Sequence, residues 1–124
     1  MVRKGLLGFV LVNFFTHVAI SASAVAVNSL GQVAIVGGAS YTQESAKQKA
    51  MDLLKKYGRN PRIVASSAVV GDCAVAFWRN GNHWAVGASL GKRSSTEADD
   101  LAMKYCLKYC PSSANPKIIR GFRA

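Results

Sequence analysis

Acidic side chains are scarce in this chain: six Asp and Glu stand against sixteen Lys and Arg, giving a formal charge of +10. That imbalance argues against a cationic partner and favours acidic ones: nucleic acid, anionic lipid or polysaccharide, or an acidic protein. Histidine numbers two and cysteine three. No close Cys-x-x-Cys or His-x-x-x-His cluster occurs, so the usual ligand spacing of a compact zinc site is missing. Gly37-Gly38 and Gly87–Gly91 precede expected helices, yet neither carries a Walker lysine–serine pair or a Gly-x-Gly-x-x-Gly spacing. They read as strand-to-helix turns rather than phosphate loops. Long apolar runs are also lacking: Leu6–Ile20 is interrupted by Gly8, Asn13, Thr16 and His17, too short and too broken for a membrane span.

What is present begins with that same N-terminal stretch. Arg3 and Lys4 form a positive n-region, the apolar run follows, and Ala22-Ser23-Ala24 places small residues at the −3 and −1 positions of a cleavage site. This is the pattern of a secretory signal peptide over residues 1–24. Cleavage after Ala24 would leave 100 of the 124 residues and lower the charge to +8 by removing Arg3 and Lys4. The expected address is secreted or periplasmic, with no transmembrane span in the mature chain. A nucleic-acid role becomes unlikely there. Half of the residues are hydrophobic, which argues against extensive disorder, and the length allows one domain over 25–124.

The centre of the chain is Gly71–Ser89, where apolar runs Cys73–Trp78 and Trp84–Ala88 flank Asn80-Gly81, a strong hairpin signal. On either side lie two similar β-α-β patterns. In the first, Val33–Val36 reads as a strand, and Ala46, Ala50, Leu53, Leu54 and Tyr57 fall on one face of a helix. Thr42 is its expected N-cap and Gly58 its C′ residue. In the second, Ser94-Ser95-Thr96-Glu97 forms a capping box, and Ala98, Ala102, Tyr105, Cys106 and Tyr109 repeat the helical face at a shift of 52. Pro116-Lys117-Ile118-Ile119 echoes Pro61-Arg62-Ile63-Val64 at a shift of 55. The spacing predicts strands at 32–37, 62–67, 72–79, 83–89 and 116–122, with helices at 43–57 and 95–109. The expected fold is α+β: duplicated β-α-β halves, at about 32–67 and 83–122, joined through a central β-hairpin, with both helices packed on one antiparallel or mixed sheet.

Several of these residues carry a resemblance. The leader, Asp72-Cys73 opening an apolar strand toward Phe77 and Asn80-Gly81, and Ala-x-x-x-Ala-Met-x-x-Cys at Ala98–Cys106 are similar to features of small secreted bacterial proteins grouped as domain of unknown function 4189. The likeness covers roughly residues 30–110. It implies a repeated unit of short strand, Gly/Ser loop and Ala-rich helix, and an extracytoplasmic address. Members of that family often have a cysteine where this chain has Asn82 and another where it has Leu54.

The candidate chemistry rests on few groups. In an oxidising compartment, Cys73, Cys106 and Cys110 predict one disulfide and one leftover thiol. Cys106 and Cys110 lie one helical turn apart, a poor geometry in a regular helix, so Cys73 pairs better with either of them, Cys106 leading. The same three cysteines with His83 could supply four zinc ligands. For nucleophilic catalysis His83 is the only histidine left after cleavage, with Asp72 or Asp99 to orient it. The hairpin register separates Cys73 from His83, and Glu97, Asp99 and Asp100 suit a helix N-terminus without any acid–base role. The expectation is therefore a non-enzyme with no cofactor and no metal. Its site would be a basic face of Lys47, Lys49, Lys55, Lys56, Arg59 and Arg62, echoed by Lys104, Lys108, Lys117, Arg120 and Arg123. A contact at the hairpin tip would involve Trp78, Arg79, His83 and Trp84. The expected partner is an acidic protein, engaged in an inhibitor- or immunity-like way; the alternatives are an anionic envelope component and, more distantly, thiol- or metal-dependent catalysis.

Overall fold

The computed structural model describes residues 9–13, 21–57 and 60–124. The chain is α+β, with two helices and two sheets among the described residues. It divides into two compact units, Met1–Val70 with Ala124, and Gly71–Arg123. Among the described residues no helix is long and apolar enough to cross a membrane.

In the first unit, strands β1 (Phe9–Asn13), β2 (Ser21–Val27), β3 (Val33–Ala39) and β4 (Arg62–Ser67) form one sheet in the order β1-β3-β2-β4. β2 runs antiparallel to both β3 and β4, while β1 joins the edge of β3 in parallel. The β2–β3 turn is organised by the buried Asn28. Its Oδ1 accepts from the backbone N–H groups of Leu30 and Gln32, both at 3.0 Å, and its Nδ2 donates to Gln32 Oε1 at 2.7 Å. An asparagine side chain can in this way stand in for turn backbone, and Gly31 supplies the positive φ of 79°.

Helix α1 (Gln43–Lys55) starts at Thr42, whose Oγ1 accepts from Ser45 N–H at 3.0 Å while Ser45 Oγ accepts from Thr42 N–H at 2.9 Å. This reciprocal cap satisfies two otherwise orphaned donors. The helix buries Ala46, Ala50 and Leu54 against Ala22, Ala24 and Ala26 of β2 and Ala34 and Val36 of β3. Alanine on both sides of the contact lets the helix sit close to the sheet. Tyr57, expected on the buried face, lies beyond the helix end and is exposed.

The second unit holds β5 (Asp72–Asn80), β6 (His83–Lys92), helix α2 (Ser95–Leu107) and β7 (Lys117–Arg123), with the all-antiparallel order β6-β5-β7. The tight loop is Gly81-Asn82, one residue on from Asn80-Gly81, because Asn80 pairs directly with His83. Gly81, at φ 65°, fills the first loop position, where a type II′ hairpin takes glycine. Ser94 caps α2 by accepting from Glu97 N–H at 3.1 Å. The Glu97 carboxylate accepts from Arg93 N–H rather than from the capping residue itself. Ala98, Ala102 and Cys106 pack on Ala74, Ala76 and Ala85, with Trp78 and Ile118 at the margin. Tyr105 and Tyr109, expected with them, are exposed.

Two expectations need correction. Each helix packs on its own sheet, so the two do not share one. The β5–β6 hairpin does not join two halves: it opens the second unit, and β2–β3 is a corresponding hairpin opening the first. Both units therefore run hairpin, helix, third strand, with the third strand paired to the first. The expected leader boundary after Ala24 lies within β2, where Ala22, Ser23 and Ala24 are fully buried. Of the leader's features, Arg3, Lys4 and residues 14–20 lie outside the described residues, as do Gly58 and Arg59.

Candidate functional site

The β-register decides which candidate residues share a surface. Ala74, Ala76 and Trp78 face α2 from β5, so by the two-residue alternation of a strand Cys73, Val75, Phe77 and Arg79 face the other way. Across the sheet Phe77 is paired with Val86 and Lys117, Arg79 with Trp84, and Val75 with Arg120. The face away from α2 thus collects Arg79, Lys117 and Arg120, all exposed, around the half-buried Phe77 and Trp84. The Arg79 guanidinium lies over the Phe77 ring, its Cζ 5.6 Å from the centroid, and donates to Gly81 O at 3.4 Å. An arginine held over an aromatic ring loses less freedom on binding a carboxylate than an unrestrained one.

The four hairpin candidates consequently separate. Trp78 belongs to the α2-facing core. Arg79 and Trp84 lie on the opposite face, and His83 is exposed beside the turn. A bulge between Val75 and Ala76 is what brings Lys117 and Arg120 onto one face of β7, although three residues apart in sequence they would fall on opposite faces of a regular strand. No sequence pattern signals that bulge.

The α1 candidates are less purely basic than their count suggests. Lys47 Nζ is 2.9 Å from Glu44, Lys55 Nζ is 3.7 Å from Asp52, and Lys56 sits over the Tyr57 ring. A shallow groove at the start of α1 is lined by Lys49 together with Glu44 and Asp52. These exposed pairs contribute little stability, but they mix both signs of charge on the helix surface. Arg62 is exposed at the start of β4, an edge strand. In the second unit Arg123 is committed to Asp72 at 2.9 Å, while Lys117 and Arg120 have no ion pair among the described residues.

The sulfur chemistry is also rearranged. Cys73 lies on the face of β5 away from α2, where its thiol donates to Gly71 O at 3.6 Å. Cys106 lies on the α2 side. A bond between them, the favoured pairing from sequence, would have to pass through the sheet. None of the three cysteines is in a disulfide here, and the two that come together are Cys106 and Cys110, with sulfurs 4.0 Å apart. His83 pairs with Asn80 at one end of the hairpin while Cys73 lies near the other, about 20 Å away along the strand. The thiol–imidazole contact that a nucleophilic dyad requires is therefore not made. The four proposed zinc ligands do not converge either, and among the described residues no group of three or more His, Cys, Asp or Glu is placed to hold a metal.

Comparison with family models, with curated proteins and with solved structures found no match for this chain.

Proposed function

We propose that this chain is a secreted or periplasmic, non-catalytic binding protein, related to the domain of unknown function 4189 proteins, that engages an acidic partner protein through a basic face. The observation that carries this reading is the cluster of Arg79, Lys117 and Arg120 around Phe77 and Trp84 on one face of the β6-β5-β7 sheet. Cations bordering half-buried aromatic rings combine the charge that steers an acidic partner with the apolar contact that holds it. The α1 lysines play the lesser part, since carboxylates on the same helix neutralise two of them.

The test is capture by the immobilised protein from envelope and secreted fractions, washed across a salt series. One acidic protein is expected to stay bound at high salt, because an interface with an apolar centre resists screening. Lys117→Glu with Arg120→Glu should weaken retention roughly tenfold or more, and Lys47→Glu with Lys49→Glu far less. Heterogeneous polyanionic material lost by moderate salt would replace this reading with an electrostatic envelope module. Equal loss in both double variants would sink the assignment to the β7 face.

A further inference from the structure

The last turn of α2 is not a regular α-helix. Lys108, Tyr109 and Cys110 each donate their backbone N–H three residues back, to Tyr105, Cys106 and Leu107. Such i→i+3 bonds tighten the turn and change where the side chains point. Cys110 is carried toward Cys106 as a result: the sulfurs stand 4.0 Å apart, and the Cys110 thiol donates to Cys106 O at 3.1 Å. The two differ in access. Cys106 is fully buried and its thiol donates to Ala85 O at 3.5 Å, whereas Cys110 is half-buried at the helix end. Cys73 does not compete, since the sheet separates it from both.

We propose that Cys106 and Cys110 are a reversible redox pair that takes up a disulfide by exchange with an external disulfide compound, Cys110 attacking and Cys106 resolving. In the first step the Cys110 thiolate attacks one sulfur of the incoming disulfide. A mixed disulfide forms on Cys110 and one thiol leaves. In the second step the Cys106 sulfur, having given up its proton, attacks the Cys110 sulfur and expels the second thiol. The net change oxidises two protein thiols to one disulfide and reduces one external disulfide to two thiols, so electrons and protons balance. Closing the bond needs the sulfurs to approach by about 2 Å, within reach of side-chain rotation at a helix end.

Burial, and then the neighbouring Cys110 sulfur, push the Cys106 thiol up to about 12. The buried sulfur is thus a poor first nucleophile, and the half-buried, more accessible Cys110 opens the exchange. The resolving step, which needs the Cys106 thiolate, accelerates as pH rises. This pairing is independent of the proposed acidic partner and of the basic face.

The experiment uses the full chain, reduced and then equilibrated with oxidised glutathione in its folded state. Trypsin cuts after Lys104 and Lys108, so the disulfide would join the peptide Tyr105–Lys108 to the peptide Tyr109–Lys117. That linked pair is the expected product. With Cys110→Ser, Cys106 should react with glutathione more than about tenfold more slowly than Cys110 does in the parent protein. With Cys106→Ala, a single glutathionyl group should remain on Cys110. Should Cys106→Ala fail to fold, the Cys110→Ser variant, at the half-buried position, still decides the order of attack. The proposal is overturned if Cys73 appears in the linked peptides, if Cys106 and Cys110 both stay free in the folded parent protein, or if Cys110 retains glutathione there at equilibrium.

Discussion

Starting the chain at Val25 will abolish cooperative folding of the first unit, whereas starting it at Ala22 will preserve it. The difference is only Ala22, Ser23 and Ala24, but they occupy the strand that bridges β3 and β4. Ala22 and Ala24 form part of the fully buried surface under α1. Their backbones pair with Gly38, Gly37 and Val36 on one side, and Ser23 and Ala24 with Ser67 and Ser66 on the other. Losing about five backbone hydrogen bonds at ~1 kcal/mol each costs as much as the whole stability of many small domains. Removing β1 as well should be tolerated, because β1 is an edge strand and the second unit holds the same order of elements with three strands alone. Urea unfolding followed by far-UV circular dichroism compares the two truncated chains. Equal midpoints and equal slopes would show that β2 is dispensable.

The burial of β2 also bears on where an exported chain would be cut. If the chain is exported and processed, its new N-terminus is expected at Ala22 or earlier. Ala19-Ile20-Ser21 offers small residues at the −3 and −1 positions and leaves the buried part of β2 intact. Mass spectrometry of the secreted protein reads this directly. A terminus at Val25 on a folded protein would contradict it.

β2 shows why part of the fold could not be seen in the sequence. Ser-Ala-Ser-Ala-Val-Ala-Val has the small residues of a peptidase site and also those of a strand packed tightly beneath an alanine-faced helix. Peptidase preference and close packing select the same residue types, so composition cannot separate them. The helices were legible because their signals are local: Thr42 and Ser94 cap where expected, and the buried triplets Ala46-Ala50-Leu54 and Ala98-Ala102-Cys106 repeat at the expected shift of 52. Strand partners are not local. Nothing in Val33–Ala39 or Asp72–Asn80 says which strand lies alongside, and for that reason one shared sheet was expected where there are two. The sulfur pair was missed for a third reason: helical spacing presumes α-geometry through Cys110, and the turn tightens just before it. On the candidate face, Arg79 and Trp84 were visible as hairpin residues, but their junction with Lys117 and Arg120 depends on a bulge and on non-local pairing.

Gly87→Ala is expected to destabilise the second unit by about 3 kcal/mol, lowering Tm by roughly 10–20 °C. Gly87 read from sequence as part of a strand-to-helix turn, but it lies within β6 and faces α2, paired with Ala76. A β-carbon there would stand 2.3 Å from both Ala102 O and Cys106 N. Both are helix backbone atoms, so no side-chain rotation relieves the clash, and α2 would have to lift off the sheet. Lifting it loosens the contacts of Ala98, Ala102 and Cys106 with Ala74, Ala76 and Ala85 together. Gly121→Ala is the control: it also sits in a strand of this sheet, but a β-carbon there meets nothing within 4 Å. That change should be neutral or slightly stabilising, since it mainly restricts the unfolded chain. Thermal unfolding of the two variants, with near-UV circular dichroism to follow Trp78 at the margin of the α2 core, separates steric displacement from a general effect of losing glycine. Similar Tm values for both would mean that α2 does not rest on Gly87 as closely as the geometry requires. A large drop confined to Gly87→Ala would also predict altered glutathione exchange at Cys106 and Cys110, because the clash falls on the Cys106 backbone itself.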